Sequence, residues 1–180
     1  MSTRIIGLLL AAGAGRRYGQ PKVLVDNWLY VAVDALFGGG CDEVAVLLGA
    51  AVVAVPSGAS TVTVADWNQG LSASVRAGLA YAGQIAADYA VLHVVDTPDV
   101  GDAVVARVVQ RAVASDSGLA RACFAECPGH PVVIARRHWP AVMVGLTGDE
   151  GAGSYLRNAS GLQLVECGDL ASGRDFDSYR

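Results

Sequence analysis

Residues 5–22 read IIGLLLAAGAGRRYGQPK: an apolar run that breaks, after Ala12, into a segment with three glycines, two arginines and a lysine. The run, Ile5–Ala11, is continuously aliphatic instead of alternating, which is the pattern of a strand covered on both faces. The segment after it reads as a ligand loop. Gly13 and Gly15 let the backbone turn sharply and bring its amides close to a bound group, while Arg17 and Lys22 supply charge from the same loop. Arginine grips phosphate with two parallel donors and lysine acts as a compact point charge. The combination suits a nucleoside triphosphate. Two other phosphate loops fit less well. A Walker loop requires Gly-Lys-Ser/Thr, a triplet that does not occur in the sequence. A G-x-G-x-x-G dinucleotide fingerprint beginning at Gly13 would need glycine where Tyr18 stands. A dinucleotide site using Asp34, or a merely solvated glycine turn, remain the alternatives on this stretch alone.

Composition sets the frame. The chain has 180 residues, 53% hydrophobic and 17% charged, with a net charge of −4, and reads as one globular domain over residues 1–180 without repeats or linkers. An acidic chain argues against a nucleic-acid surface, so its basic character is local and points to a small anion. Arg4 and the apolar residues after it have the outline of a secretory leader. However, one basic residue, a short apolar run and the arginines just beyond favour a cytoplasmic protein. No segment reaches the length of a membrane span. Cys41, Cys123, Cys127 and Cys167 lack zinc-ligand spacing and read as free thiols.

Further apolar runs at Glu43–Leu48, Thr61–Ala65 and Tyr89–Val95 read as strands of the same doubly covered kind. Leu29–Phe37, Leu71–Ala82 and Asp102–Ala114 read as helices, the last with Val104, Val105, Val108 and Val109 at helical spacing. Ala122–Ala125 and Pro131–Ala135, joined by ECPGH, suggest a two-stranded excursion. Gly151–Asn158 reads as a short helix and Leu162–Glu166 as a last strand. Strand–helix alternation implies a mostly parallel sheet between helix layers: an α/β, three-layer, Rossmann-like architecture. In such sheets ligands bind beyond the carboxyl ends of strands, which narrows the search to 12–22, 66–74, 96–100 and the segment after Glu166.

At those ends the sequence resembles the MobA-like nucleotidyltransferases, a family that includes the molybdenum cofactor cytidylyl- and guanylyltransferases. LAAGAGRRYGQPK is similar to their signature LAAGxGxRxGxxK. DWNQGLSASVRAGL matches W-x-x-G-x-x-x-S-x-x-x-G-L through Trp67, Gly70, Ser74, Gly78 and Leu79. VVDTPDV resembles L-x-D-x-P-x-V through Asp96, Pro98 and Val100. PGHPVVI carries a Gly-His-Pro motif at Gly129–Pro131, GDEGA a Gly-Asp-x-Gly-Ala at Gly148–Ala152, and DFDSY stands where D-x-D-T-P is common. The motifs keep the family's order over nearly the whole chain.

The resemblance implies a nucleotidyltransferase of the same fold and a role for each matched residue. The backbone of Leu10, Ala11, Ala12, Gly13, Ala14 and Gly15 would bind the nucleotide, with Gly70 and Ser74 lining its other side. Arg17 and Lys22 would neutralise the phosphates and the departing pyrophosphate. Asp96 ends an apolar segment interrupted only by His93, where an unpaired carboxylate is costly; with Asp177, or Asp175, it would hold Mg2+, a hard cation suited to carboxylates and phosphates. His130 would face the acceptor. The reaction implied is attack by an acceptor phosphate on the α-phosphorus of the triphosphate. LAAG with Gly-His-Pro favours CTP over GTP, and molybdopterin, the pterin phosphate of the molybdenum cofactor, is the implied acceptor, with a molybdoenzyme as implied partner. GTP, another phosphorylated metabolite, and a catalytically silent nucleotide-binding accessory protein stay open.

The sequence also departs from the family pattern. Tyr18 stands for a usual Met, Asp26–Asn27 for Asp-Gly, Val64 and Ala65 for an Asn, Gly153 for an Arg, and the tail DFDSYR lacks Thr-Pro. Without the resemblance, His93 reads as a satisfied core histidine. Asp149 and Glu150 read as acids favouring the start of the helix after them.

Overall fold

A computed structural model describes residues 3–176. Its sheet is laid down by β1 (Ile5–Leu10), β2 (Glu43–Leu48), β3 (Ser60–Thr63), β4 (Tyr89–Val94), β5 (Leu119–Phe124), β6 (Cys127–Ala135) and β7 (Gln163–Glu166) in the order β3-β2-β1-β4-β6-β5-β7. β1 pairs in parallel with β2 and β4, β2 with β3, and β5 with β7; β6 alone runs against its neighbours β4 and β5. The helices are α1 (Trp28–Gly38), α2 (Leu71–Gln84), α3 (Asp102–Ala114), α4 (Trp139–Gly145) and α5 (Gly153–Asn158).

The continuous apolar strands are sandwiched as their pattern requires. In β1, Ile5 and Leu9 point into one core and Ile6, Leu8 and Leu10 into the other, because alternate side chains leave opposite faces. The first core takes α1 through Leu29, Val33 and Leu36, and α3 through Val104, Val105 and Val108. The second takes α2 through Val75 and Leu79, α4 through Trp139 and Val142, and α5 through Leu156. Asp102 in the first turn of α3 and Arg111 in its last turn oppose the helix dipole favourably.

Three expectations need correction. β3 covers Ser60–Thr63, not Thr61–Ala65, and three of its four side chains are exposed. As an edge strand it is covered on one face only, where Val62 packs against the second core, so the threonines flanking Val62 reflect β-propensity and not burial. The excursion is longer than expected, since β5 begins at Leu119 and β6 at Cys127. α4 was not expected from the sequence. Its seven residues are too few to display a helical period, and it is fixed by burial of Trp139, whose Nε1 donates to the Ile134 carbonyl at 3.0 Å.

After β7 the chain runs back across the carboxyl ends of the strands. Ser172 donates through its backbone N and its Oγ to Asp99 Oδ2 at 2.7 and 2.6 Å, and the Phe176 N–H donates to the Asp96 carbonyl at 3.1 Å. The Phe176 ring then packs on Trp28, 5.6 Å between centroids, and Trp28 on Tyr18 at 5.7 Å. This strap follows from the edge position of β7: to reach the cleft, the tail must cross the sheet's end.

Candidate active site

A cleft of about 530 Å³ opens at the carboxyl ends of β1 and β4, walled by the loop after β1, the start of α2 and the loop before α5. The Leu10–Gly15 backbone, Arg17, Lys22, Gly70, Ser74 and Asp96 all line it, so residues far apart in the sequence meet in one place. The register explains the central contact. Leu10 sits opposite Val94 on adjacent parallel strands, and the residues just beyond leave the sheet side by side. Lys22, the single lysine of the sequence, places Nζ 2.5 Å from Asp96 Oδ2, with only 16% and 17% of the two side chains exposed. Asp96 Oδ1 has no hydrogen-bond partner among the described residues.

Two glycines shape the walls. Gly15 has φ +61°, and a Cβ there would sit 1.8 Å from the Gln20 carbonyl oxygen, so the loop closes on itself only with glycine. Gly13 has open space around its Cβ position and a negative φ, so its part in the turn is room for a ligand and not backbone freedom. Gly70 has φ +109°. Its Cβ would lie 2.5 Å from both the Gly148 carbonyl oxygen and Asp149 Oδ1, because the 147–150 loop folds onto the start of α2, where the Ser72 N–H donates to Gly148 O at 3.0 Å.

That contact corrects the reading of Asp149 and Glu150. Asp149 lines the cleft, and Glu150 pairs with Arg157 at 3.5 Å, so neither is spent simply on the start of α5. Asp149, Asn68, Arg16 and Tyr18 are among the cleft residues to which the sequence assigns no role. Asp149 lay within a recognised motif, but which way its side chain turns depends on how the loop packs.

His130 does not line the cleft. It lies on β6, part-buried, past the Leu92–Val132 pair toward the carboxyl end of β4. Burial and the nearby Arg121 charge push its imidazole down to about 4, against the pull of Asp96 in the other direction. It is neutral at pH 7. His93 is fully buried, as expected, but it is not satisfied: neither ring nitrogen has a hydrogen-bond partner among the described residues, nor has buried Thr97 Oγ1. Burial, then His130, push His93 down to about 3. Asp175 is exposed, and Asp177 lies outside the described residues.

Among the described residues no three His, Cys, Asp or Glu side chains converge as a metal cage. What is present, the Asp96 carboxylate with one oxygen unpartnered among the described residues beside a cleft sized for a nucleotide, fits Mg2+. That ion keeps waters and takes its remaining ligands from substrate phosphates. No helix among the described residues is long and apolar enough to cross a membrane.

Comparison with known proteins agrees with this architecture. The chain is 33% identical to nicotine blue oxidoreductase of Paenarthrobacter nicotinovorans, with 97% of this chain and 92% of that protein covered. Among solved structures, Rv0371c of Mycobacterium tuberculosis H37Rv superposes with a TM-score of 0.79 at 26% identity, covering 99% and 95% of the two chains. A manganese complex of the same protein gives 0.72 at 24% over 92% and 89%. The nucleotidyl transferase Mth528 of Methanothermobacter shares the fold, with a TM-score of 0.81 at 20% identity over 99% and 94%. Residues 7–165 match the model of the MobA-like NTP transferase domain, which takes in most of β1, the glycine loop and every wall of the cleft. The chain belongs to the MobA-like NTP transferase domain family, and it is an enzyme of the nucleotidyltransferase type.

Proposed function

We propose that the chain, as one domain over residues 1–180, transfers CMP from CTP to a small phosphorylated acceptor, molybdopterin in the first instance, and releases pyrophosphate. The observation that carries this reading is the Lys22–Asp96 pair, an ammonium and a carboxylate 2.5 Å apart at the mouth of a glycine loop. An acceptor phosphate oxygen forms a bond to the α-phosphorus while the α–β anhydride bond breaks, and pyrophosphate carries away the electron pair. The backbone amides of Ala12–Gly15 hold the triphosphate. Arg17 and Lys22 meet the charge that grows on the leaving group, and Gly70 and Ser74 bound the nucleoside. Asp96, with Asp177, holds Mg2+ when it is bound; the ion supplies charge neutralisation to the polyphosphate. Rv0371c was crystallised with manganese, which supports divalent-metal use here. Four cysteines without disulfides agree with a cytoplasmic setting, where a molybdoenzyme would receive the product.

CTP with Mg2+ is expected to raise the melting temperature, because a ligand bound only by the folded state stabilises it. Pyrophosphate is expected to appear when molybdopterin is added. GTP acting in place of CTP moves the reading to a guanylyltransferase, and a different productive acceptor changes only the second substrate. Nucleotide binding without turnover on any acceptor gives the accessory protein. A redox reading rests on the 33% identity to a protein named as an oxidoreductase. Stabilisation by NAD(P)H with no response to any of the four nucleoside triphosphates would establish it and end the transferase proposal.

A further inference from the structure

Neither Trp28 nor Phe176 lines the cleft, yet their rings join two segments that border it, the glycine loop and the strap that follows β7. Tyr18 lines the cleft from within that loop. Its ring lies 5.7 Å from Trp28 at an angle of 59°, and Trp28 lies 5.6 Å from Phe176 at 50°. Both are tilted pairs at separations where aromatic rings attract beyond the area they bury. Trp28 opens α1, its N–H donates to the Val25 carbonyl at 3.1 Å, and it packs part-buried against the first core, so it is the anchored member of the three. The strap is tied to the opposite side of the site. Ser172 donates twice to Asp99, and the Phe176 N–H reaches the Asp96 carbonyl. Both acceptors sit in the loop after β4, which presents the Asp96 carboxylate to Lys22.

The core does not demand this row of rings. Phe176 stays 42% exposed, and Tyr18 and Trp28 are only part-buried. What the row reaches is a segment of low intrinsic stiffness. Gly13, Gly15 and Gly19 stand within seven residues of one another, and the Gly19 N–H closes the turn on the Gly15 carbonyl at 2.8 Å. Glycine-rich backbone loses the most conformational freedom when it is ordered around a ligand. A ring of that loop held on Trp28 removes part of the freedom beforehand. Tyr18, which stands for the family's usual Met, supplies that ring.

We propose that Trp28 and Phe176 are positioning residues for the cleft: through Trp28, the loop that carries Tyr18 and the strap fastened at Asp96 are ordered together. A polyanion held by the loop then tightens the strap, and loss of the strap's ring loosens the loop. The coupling is reciprocal, because each segment biases the other by the same free energy. Calling the polyanion a nucleoside triphosphate rests on the transferase reading; the coupling of the two segments does not.

The test follows two backbone amides of the full chain by hydrogen exchange in NMR. Without ligand, Phe176→Ala is expected to speed exchange of the Gly19 amide about three- to tenfold, the factor that one aromatic pair is worth. Phe176→Tyr keeps the ring and should leave that rate near the wild-type value. Inorganic tripolyphosphate, added with EDTA so that no metal bridges the two segments, is expected to protect the Phe176 amide in the wild type. Trp28→Leu, which keeps an apolar side chain against the core, should lose that protection. An unchanged Gly19 rate in Phe176→Ala, or equal protection of the Phe176 amide in Trp28→Leu, overturns the proposal. Phe176 is largely outside the core, so Phe176→Ala alone decides the matter should Trp28→Leu unfold. If nucleoside triphosphates fail to stabilise the wild type, the transferase reading falls while the ligand-free Gly19 measurement keeps its meaning.

Discussion

Removing Lys22 should leave the Asp96 carboxylate stranded in a mostly desolvated position. At 2.5 Å and an effective dielectric near 20, the gross attraction is about 7 kcal/mol. Desolvation of two ions, each about five-sixths withdrawn from water, offsets most of it and leaves a coupling of about 2–3 kcal/mol. A double-mutant cycle over Lys22→Met, Asp96→Asn and the two combined, read by urea denaturation at pH 7, isolates that term. The double variant should lose little more stability than Lys22→Met alone, since the second substitution removes the charge that the first had stranded. Effects that add to within about 0.5 kcal/mol would refute the reasoning, because uncoupled sites behave that way. The same variants bear on function: Asp96→Asn is expected to abolish pyrophosphate release while the protein remains folded.

Gly70→Ala should destabilise the fold by about 2 kcal/mol or more and disturb the cleft wall, since φ +109° and a carbonyl oxygen 2.5 Å from the new Cβ both oppose it; an unchanged urea midpoint would contradict this. Acid should weaken the protein through His93. Its folded-state value near 3 lies below the unfolded value of 6.5, so the unfolded chain binds more protons in that window. The stability contributed by neutral His93 is present above pH 6.5 and is lost as pH falls toward 3, by about 2 kcal/mol between pH 7 and pH 5. His130 acts in the same direction, down to about 4. Replacing His93 by leucine, which also removes two unpartnered nitrogens, should flatten the dependence of the urea midpoint on pH; an unchanged slope would rule out the buried neutral imidazole as its source.

How much could be read from the sequence differs by element. The central strands β1, β2 and β4 were visible because burial on both faces forces uninterrupted aliphatic runs, and α3 because its valines recur at the helical period. Edge strand β3 was misplaced and α4 was missed, since a four-residue exposed strand and a seven-residue helix each span too little chain to display a period. The cleft shows the same division. Gly15, Lys22 and Asp96 announced themselves by residue type at the ends of strands, and Gly70 through the family motif it matches.

Residue type and order along the chain determined the α/β layering, the glycine loop and the family, because strand burial and turn chemistry are local demands on composition. Only the folded chain decided that Lys22 meets Asp96, that Asp149 turns into the cleft, that Arg157 pairs with Glu150 and that the tail crosses over Asp96. Each of these depends on strand order and loop packing across dozens of residues, and no pattern of neighbours along the chain carries that information.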